Sequence, residues 1–119
     1  MEAAPTLASS LGRISISHEA VAHIVGRVAA EAYGVVGMAA GGPHRRLLPR
    51  DRLRQGITVG GSAEEGVTIE LRVVVEYGLN LAQVGSTLRN RVRYEVERLT
   101  GLPVAEVDVR IEDVRRSTA

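Results

Sequence analysis

Three histidines, His18, His23 and His44, are the first side chains in this sequence to weigh for chemistry. Two imidazoles hold one metal ion from a single helix when they stand at i and i+4, and no pair here has that spacing. They read as solvated side chains. Cysteine is absent, which excludes a thiol nucleophile, a disulfide framework and Cys-based zinc sites. All 15 basic residues are arginine, so a phosphate-binding loop that needs lysine cannot exist. No Gly-x-Gly-x-x-Gly follows a strand pattern. Ser62 sits in GGSAEEG, which lacks the Gly-x-Ser-x-Gly turn of a nucleophilic serine. Glu64 and Glu65 adjoin in the same turn. Paired carboxylates do acid–base work only in a concave, desolvated site, and at a hairpin tip they are expected to be solvated. No catalytic, cofactor-binding or metal-binding residue is expected, and the chain does not read as an enzyme.

Two further residues share one helix pattern. Glu95 falls at the edge of an apolar stripe, with Arg91 four residues before it and Arg98 three after it. That spacing predicts an ion pair that fixes helix docking rather than a catalytic acid. Tyr94 falls on the polar side of the same helix among Arg91, Arg93 and Arg98. There it reads as an interface anchor, as a base-stacking platform, or as a side chain lying along a solvated helix. An earlier helix pattern carries small residues on its expected outward face: Ala22, Gly26 and Ala30, with Tyr33 beside them. Such a face admits another backbone closely, and it is a candidate surface for self-association. Gly26→Arg is expected there to leave the monomer folded.

These patterns belong to one domain. The chain has 119 residues, 45% of them hydrophobic, with no Phe or Trp and three Tyr. Val, Ile, Leu and Ala must fill the core, and the β-branched share favours a sheet. Exclusive use of arginine reads as the coding bias of a GC-rich bacterial genome. Net charge is +1, but it is unevenly spread. Residues 41–56 (GGPHRRLLPRDRLRQG) hold five arginines and one aspartate, and the remainder is net acidic. Arg45, Arg46, Arg50, Arg52 and Arg54 make this segment a candidate contact for an anionic surface, lipid or nucleic acid. No apolar run has the length of a membrane span, and MEAAPTLASSL lacks the features of a signal peptide. A cytoplasmic location is expected, with any membrane association peripheral or through a partner.

Along the chain, residues 1–11 read as a flexible tail, and Arg13–Ser17 alternate as a short strand. Ser17 caps a helix whose stripe is Val21, Ile24, Val25, Val28 and Ala32. Val35–Met38 is a short strand or buried turn, and residues 41–56 a flexible basic loop. Ile57–Val59 begins a strand, residues 60–66 turn, and Val67–Tyr77 is the clearest strand, with Val74 out of pattern. Asn80 caps a second helix with Gln83 in the capping-box position. Its stripe is Leu81, Val84, Leu88, Val92, Val96 and Leu99, and Gly101 and Pro103 stop it. Residues 104–114 form the last strand, with Val107, Val109 and Ile111 inward, and residues 116–119 a tail. The order β-α-(β)-β-β-α-β predicts an α+β fold, a two-layer sandwich with two helices on one face of a mixed sheet of four or five strands. The other sheet face is expected to be solvated.

Three segments, GRISISHEAVAHIVGRVAAEAYGVVGM, GVTIELRVVVEYGLNLAQV and VERLTGLPVAEVDVRIEDV, together resemble the bacterial alkaline shock protein family, the Gls-type envelope stress response proteins. The resemblance spans about residues 12–115. Its most specific part is V-V-V-E-Y-G-L-N, a helix, then T-G-L-x-V-x-x-V-x-V. It implies a cytoplasmic, non-enzymatic factor of cell-envelope homeostasis that self-associates and is held at the membrane by a small anchored partner. It supplies no catalytic residues, and the basic segment departs from the family's pattern. The expected function is a protein–protein scaffold or adaptor. The alternatives are a small RNA-binding protein or a regulatory subunit of a lipid-metabolism enzyme. Against RNA, the outward strand positions Ser15, Ser17, Thr68, Glu70, Arg72, Glu76, Asp108, Arg110 and Glu112 offer no aromatic for stacking.

Overall fold

The computed structural model describes residues 6–39 and 56–116. Eight elements run in order: β1 (Thr6–Ser9), β2 (Gly12–Ser15), α1 (His18–Glu31), β3 (Val35–Met38), β4 (Ile57–Ser62), β5 (Gly66–Glu76), α2 (Leu81–Thr100) and β6 (Val104–Arg115).

β5 is the centre of the main sheet. Val67, Ile69, Leu71, Val73 and Val75 alternate along it onto one face and are all buried. β6 runs parallel along one edge, from Val67↔Val104 to Glu76↔Arg115. The other edge is shared by two antiparallel strands laid end to end. β4 pairs Ile57↔Leu71 through Ser62↔Gly66, and β3 pairs Val35↔Val75 through Met38↔Val73. The Ala39 N–H donates to the Arg72 carbonyl at 2.9 Å, one residue from where β4 begins its pairing. β3 and β4 are therefore two halves of a single interrupted edge, with residues 40–55 inserted between them. The basic segment expected at 41–56 lies outside the described residues except for Gly56, which is buried.

Both helices start where the sequence signals them, but α1 ends at Glu31, short of Ala32, which its stripe included and which is extended. The Ser17 hydroxyl accepts from the Ala20 N–H at 3.0 Å, and the Asn80 side-chain oxygen accepts from the Gln83 N–H at 3.0 Å. α2 ends at Gly101, in the left-handed region at φ 74°, where its N–H reaches the Glu97 carbonyl. Val84, Leu88, Val92 and Val96 are buried from α2. Each such side chain contributes about 1.5–3 kcal/mol by leaving water. α1 packs against α2, β3 and β4, and α2 packs against β6. The two helices run antiparallel and cover the face that β5 fills with valines. This is the α+β sandwich expected.

Three features depart from the expected pattern. First, Thr6–Ser9 is a strand, not tail. It pairs with β2 from Thr6↔Ser15 to Ser9↔Gly12 as a separate two-stranded sheet. Gly12 takes a positive φ at the turn, and Leu7 packs against the core at the hairpin's base.

Second, β6 does not alternate throughout. The pairing with β5 slips between Val67 and Thr68 and again between Val73 and Val74. Ala105 and Glu112 are the extra residues at these two slips. Each bulge reverses parity, so Val104, Val107, Val109, Ile111 and Val114 all share register with the inward residues of β5.

Third, the outer face of the sheet is not solvated throughout. Val74 belongs to it, yet its exposure is 0%. It sits on the central strand between Gly37 of β3 and Asp113 of β6, with half-buried Arg72 and Glu76 two residues either side.

Candidate functional site

The candidate residues do not form one site. Ala22 and Gly26 are buried, which corrects their expected place on an outward face. α1 rests on α2 as well as on β3 and β4, so its buried arc is wider than the single stripe of a helix on a sheet. Val21, Ala22, Val25, Gly26, Val28 and Ala29 all fall within it. Gly26→Arg is now expected to unfold the monomer. Ala30 remains exposed, and Tyr33 is 80% exposed. Tyr94 stands exposed on the outer side of α2. Arg45, Arg46, Arg50, Arg52 and Arg54 lie outside the described residues.

Around Tyr33 the chain builds a cleft. After α1 the backbone turns through Ala32–Gly34, with the Val35 N–H on the Ala32 carbonyl at 3.3 Å. Gly34 has φ +84°, and a Cβ there would sit 2.8 Å from Leu79 and 3.1 Å from Val84. Its carbonyl accepts from the Glu76 N–H at 2.8 Å. A glycine is required at this crossing, and it brings the end of α1 against the start of α2. The resulting cleft, of about 200 Å³, is lined by Tyr33, Leu79, Val84 and Thr87, with Asn80 and Gln83 as its polar rim.

Further apolar side chains stand exposed at this end: Val36, Tyr77 and Leu81. Val36 is the bulged residue between Val35 and Gly37. Tyr77 lies just past the end of β5, and the Arg116 guanidinium lies 5.3 Å from its ring centre. At the opposite end, where α1 begins and α2 finishes, Leu11, Ile14 and Leu99 are exposed. Sequence periodicity assigned Tyr77, Leu81 and Leu99 to buried faces. Leu81 and Leu99 are the first and last residues of the α2 stripe, and both reach water. Gly78, at φ 101°, ends the strand just after Tyr77.

The outer sheet face carries charge instead. Glu70 accepts from Arg110 at 2.8 Å across the β5–β6 pair and from Arg72 at 3.4 Å. A shallow cleft of about 550 Å³ beside it is lined by Thr58, Thr68, Glu70, Glu106, Asp108 and His18, among others. Among the described residues that line it, no hydrogen bond joins a hydroxyl to the His18 ring or to a carboxylate. On α2, Glu95 accepts from Arg98 at 2.8 Å, as its spacing predicts. That hydrogen bond, with the charges of Arg98 and Arg91, holds its carboxyl below the usual glutamate range against an opposing desolvation effect. Among the described residues no group of three or more His, Asp or Glu is placed to hold a metal ion, and no helix is long and apolar enough to cross a membrane.

Comparison with known proteins gives relatives along nearly the whole length. The chain is 29% identical over 113 residues to the uncharacterised protein YloU of Bacillus subtilis, covering 92% of this chain and 93% of that one. It is 29% identical over 108 residues to the uncharacterised protein Spy1614 of Streptococcus pyogenes serotype M6, covering 87% and 88%. A stress response regulator gls24 homologue of Streptococcus pyogenes serotype M3 is 25% identical over 107 residues; the match takes in 87% of this chain and 59% of that protein. The last of these names agrees with the Gls-type resemblance carried by the β5–α2–β6 segments. With residues 6–116 matching the model of the ASP23 family, of cell envelope-related function, the chain belongs to that family.

Proposed function

We propose that this chain is a non-enzymatic, cytoplasmic adaptor of envelope or alkaline stress, which acts near the membrane by holding proteins together. The observation that carries this reading is the placement of its exposed hydrophobic side chains. Tyr33, Val36, Tyr77 and Leu81 gather at one end of the helix pair, and Leu11, Ile14 and Leu99 at the other. Several large apolar side chains kept in water at one end of a domain support a place of contact there. The partner fitting this surface is a protein, including a small membrane-anchored one. The family's envelope-related role supports the setting.

RNA binding through the basic segment has less support. The outer sheet face presents Thr68, Glu70, Arg72, Asp108 and Arg110, with no aromatic among them and both arginines held by Glu70. A regulatory subunit of a lipid-metabolism enzyme would use the same apolar ends, and the identity of the bound protein separates it from an adaptor. The arginines of residues 45–54 would add a peripheral contact with anionic lipid, each worth about 1 kcal/mol near the surface.

Complementation tests the reading. Cells lacking the protein should regain tolerance of alkaline and envelope stress with the wild type. The Tyr33→Glu/Tyr77→Glu variant, folded to the same melting temperature, should not restore it. Full rescue by that variant would remove the exposed apolar end as the functional surface.

A further inference from the structure

We propose that the outward stripe of α2 built from Thr87, Arg91, Tyr94 and Arg98 is a docking surface for an acidic amphipathic helix of a partner protein. This rests on the reading that the chain works by protein contact, and it adds to the apolar ends a second surface with a partner of stated charge.

The stripe follows from spacing. Residues 87, 91, 94 and 98 stand four, three and four apart, the alternation that keeps a row of side chains on one seam of a helix. All four are exposed, with Tyr94 63% exposed in their midst. They are turned away from Val84, Leu88, Val92 and Val96, which are buried in the core. A straight seam of this kind suits a second helix lying along it, and it runs for about 16 Å at 1.5 Å per residue.

Charge sets what that helix must carry. α2 holds four arginines against two glutamates, whereas the other described residues hold six arginines against ten acids. Both glutamates of α2 are engaged within the chain. Glu95 accepts from Arg98 at 2.8 Å, and Glu97 accepts from the Val104 N–H at 3.0 Å. Arg93 is tied to the start of β6 by donating to the Val104 carbonyl at 2.8 Å, and Arg89 donates to Ser86 and Asn90. Arg91 makes no hydrogen bond or ion pair among the described residues. The Arg98 side chain is 52% exposed, and a guanidinium has more donors than one carboxylate takes up.

Two arginines seven residues apart, with a tyrosine between them, are matched by a helix carrying two carboxylates seven apart and an apolar side chain between. Seven residues advance both helices by about 10 Å, so both ion pairs form in one register. Arginine pairs with carboxylate through two parallel hydrogen bonds, and Tyr and Arg are enriched where contact energy concentrates. Neither helix of a second copy supplies the pattern. The acids of α1 are Glu19 and Glu31, twelve residues apart, and α2 is itself basic. Single-stranded nucleic acid fits less well, because one tyrosine gives one stacking position. A lipid surface makes no use of the seven-residue spacing, and the stripe offers it no aliphatic side chain to insert.

Titration of the isotope-labelled full chain with a designed probe tests this. The probe is a peptide of about 20 residues, long enough to be helical in isolation, with Glu at every seventh position and Leu between; its control has the same composition in scrambled order. Amide shifts should move along residues 87–98 with the probe and not with the control. Affinity should fall as the Debye length shrinks from about 10 Å at 0.1 M salt to about 3 Å at 1 M. Tyr94→Ala and Arg91→Glu, both at exposed positions, should keep the wild-type melting temperature and each weaken binding about tenfold. A probe with Lys in place of Glu should bind Arg91→Glu more tightly than it binds wild type. No shift at millimolar probe, shifts that fall elsewhere, or wild-type affinity in both variants would overturn the proposal. Oligo-dT or phosphatidylglycerol vesicles that bind residues 87–98 more tightly than the probe would give the face to nucleic acid or lipid. A wild-type mass that rises with concentration where Arg91→Glu stays monomeric would give it to a second copy. Each of these results also overturns the proposal. Should Arg91→Glu fail to fold, Arg91→Gln removes the same charge. If the probe fails while Tyr33→Glu/Tyr77→Glu still abolishes complementation, the adaptor reading stands and loses this surface. If the probe binds as expected while that variant rescues fully, the apolar ends are lost and this surface remains.

Discussion

Ala39 and Gly56 touch across the gap in the sheet's edge: a Cβ on Gly56 would lie 3.0 Å from the Ala39 carbonyl oxygen and 3.1 Å from the Met38 Cβ. The edge strand is thus nearly continuous in space although residues 40–55 intervene in sequence. Replacing residues 41–54 by two glycines should keep the fold, with a melting temperature within about 2 °C of wild type or higher, because loop closure becomes cheaper. Gly56→Val should lower stability by about 1–3 kcal/mol through overpacking against Met38. Thermal melts of the two variants check both, and a large loss on shortening would mean that the segment supports the core.

Val73 and Val74 point to opposite faces of β5, and both are fully buried. Aspartate at either position should lower stability by several kcal/mol, since each site buries the charge, with no cation at Val73 and with only Arg72, two residues along the outer face, near Val74. Thr68→Asp, exposed on the same outer face as Val74 but directly across from Glu106, should cost less, about 1 kcal/mol. Urea midpoints for the three variants decide the matter. A mild Val74→Asp would mean that the outer face is open to water there.

Glu95 and Arg98 give a pH signature. The pair holds the folded-state pKa of Glu95 below its unfolded value. Its contribution to stability is therefore present above the unfolded pKa and disappears as pH falls through the folded one. The carboxyl-carbon titration of Glu95 should have its midpoint below that of an unfolded peptide, and Arg98→Gln should raise it. An unchanged midpoint in Arg98→Gln would show that the hydrogen bond is not the cause.

Gly34 couples stability to the cleft. Alanine there must adopt φ near +84°, which costs about 1–2 kcal/mol, and its methyl must displace Leu79. Gly34→Ala should lower the denaturant midpoint. It should also weaken whatever the cleft binds by more than this loss of stability explains. Unaltered binding would take Leu79 out of the contact.

The legible parts of this fold were those governed by local rules. The stripe Val84–Leu88–Val92–Val96, the caps Ser17 and Asn80, the stop at Gly101 and the alternation of β5 are all readable from residues a few positions apart. The rest depended on distant neighbours. Ala22 and Gly26 look outward on a helix that meets only a sheet, but α1 also meets α2. The bulges at Ala105 and Glu112 shift parity without a Gly or Pro to mark them. Tyr33 and Tyr94 were recognisable as exposed. Tyr77, Leu81 and Leu99 were not, because hydrophobic periodicity does not say which positions at the end of a stripe lose their cover.

The most direct test of the central claim is capture from the living cell. The full chain, crosslinked in its native host under alkaline stress, would be recovered after detergent solubilisation of the envelope beside its Tyr33→Glu/Tyr77→Glu and Leu11→Asp variants. Function by protein contact through the apolar ends requires a small, reproducible set of envelope-associated proteins with the wild type, depleted about tenfold or more by a variant that loses its anchor. Equal recovery with all three chains, or wild-type recovery no greater than that of an unrelated protein of similar size, would contradict it.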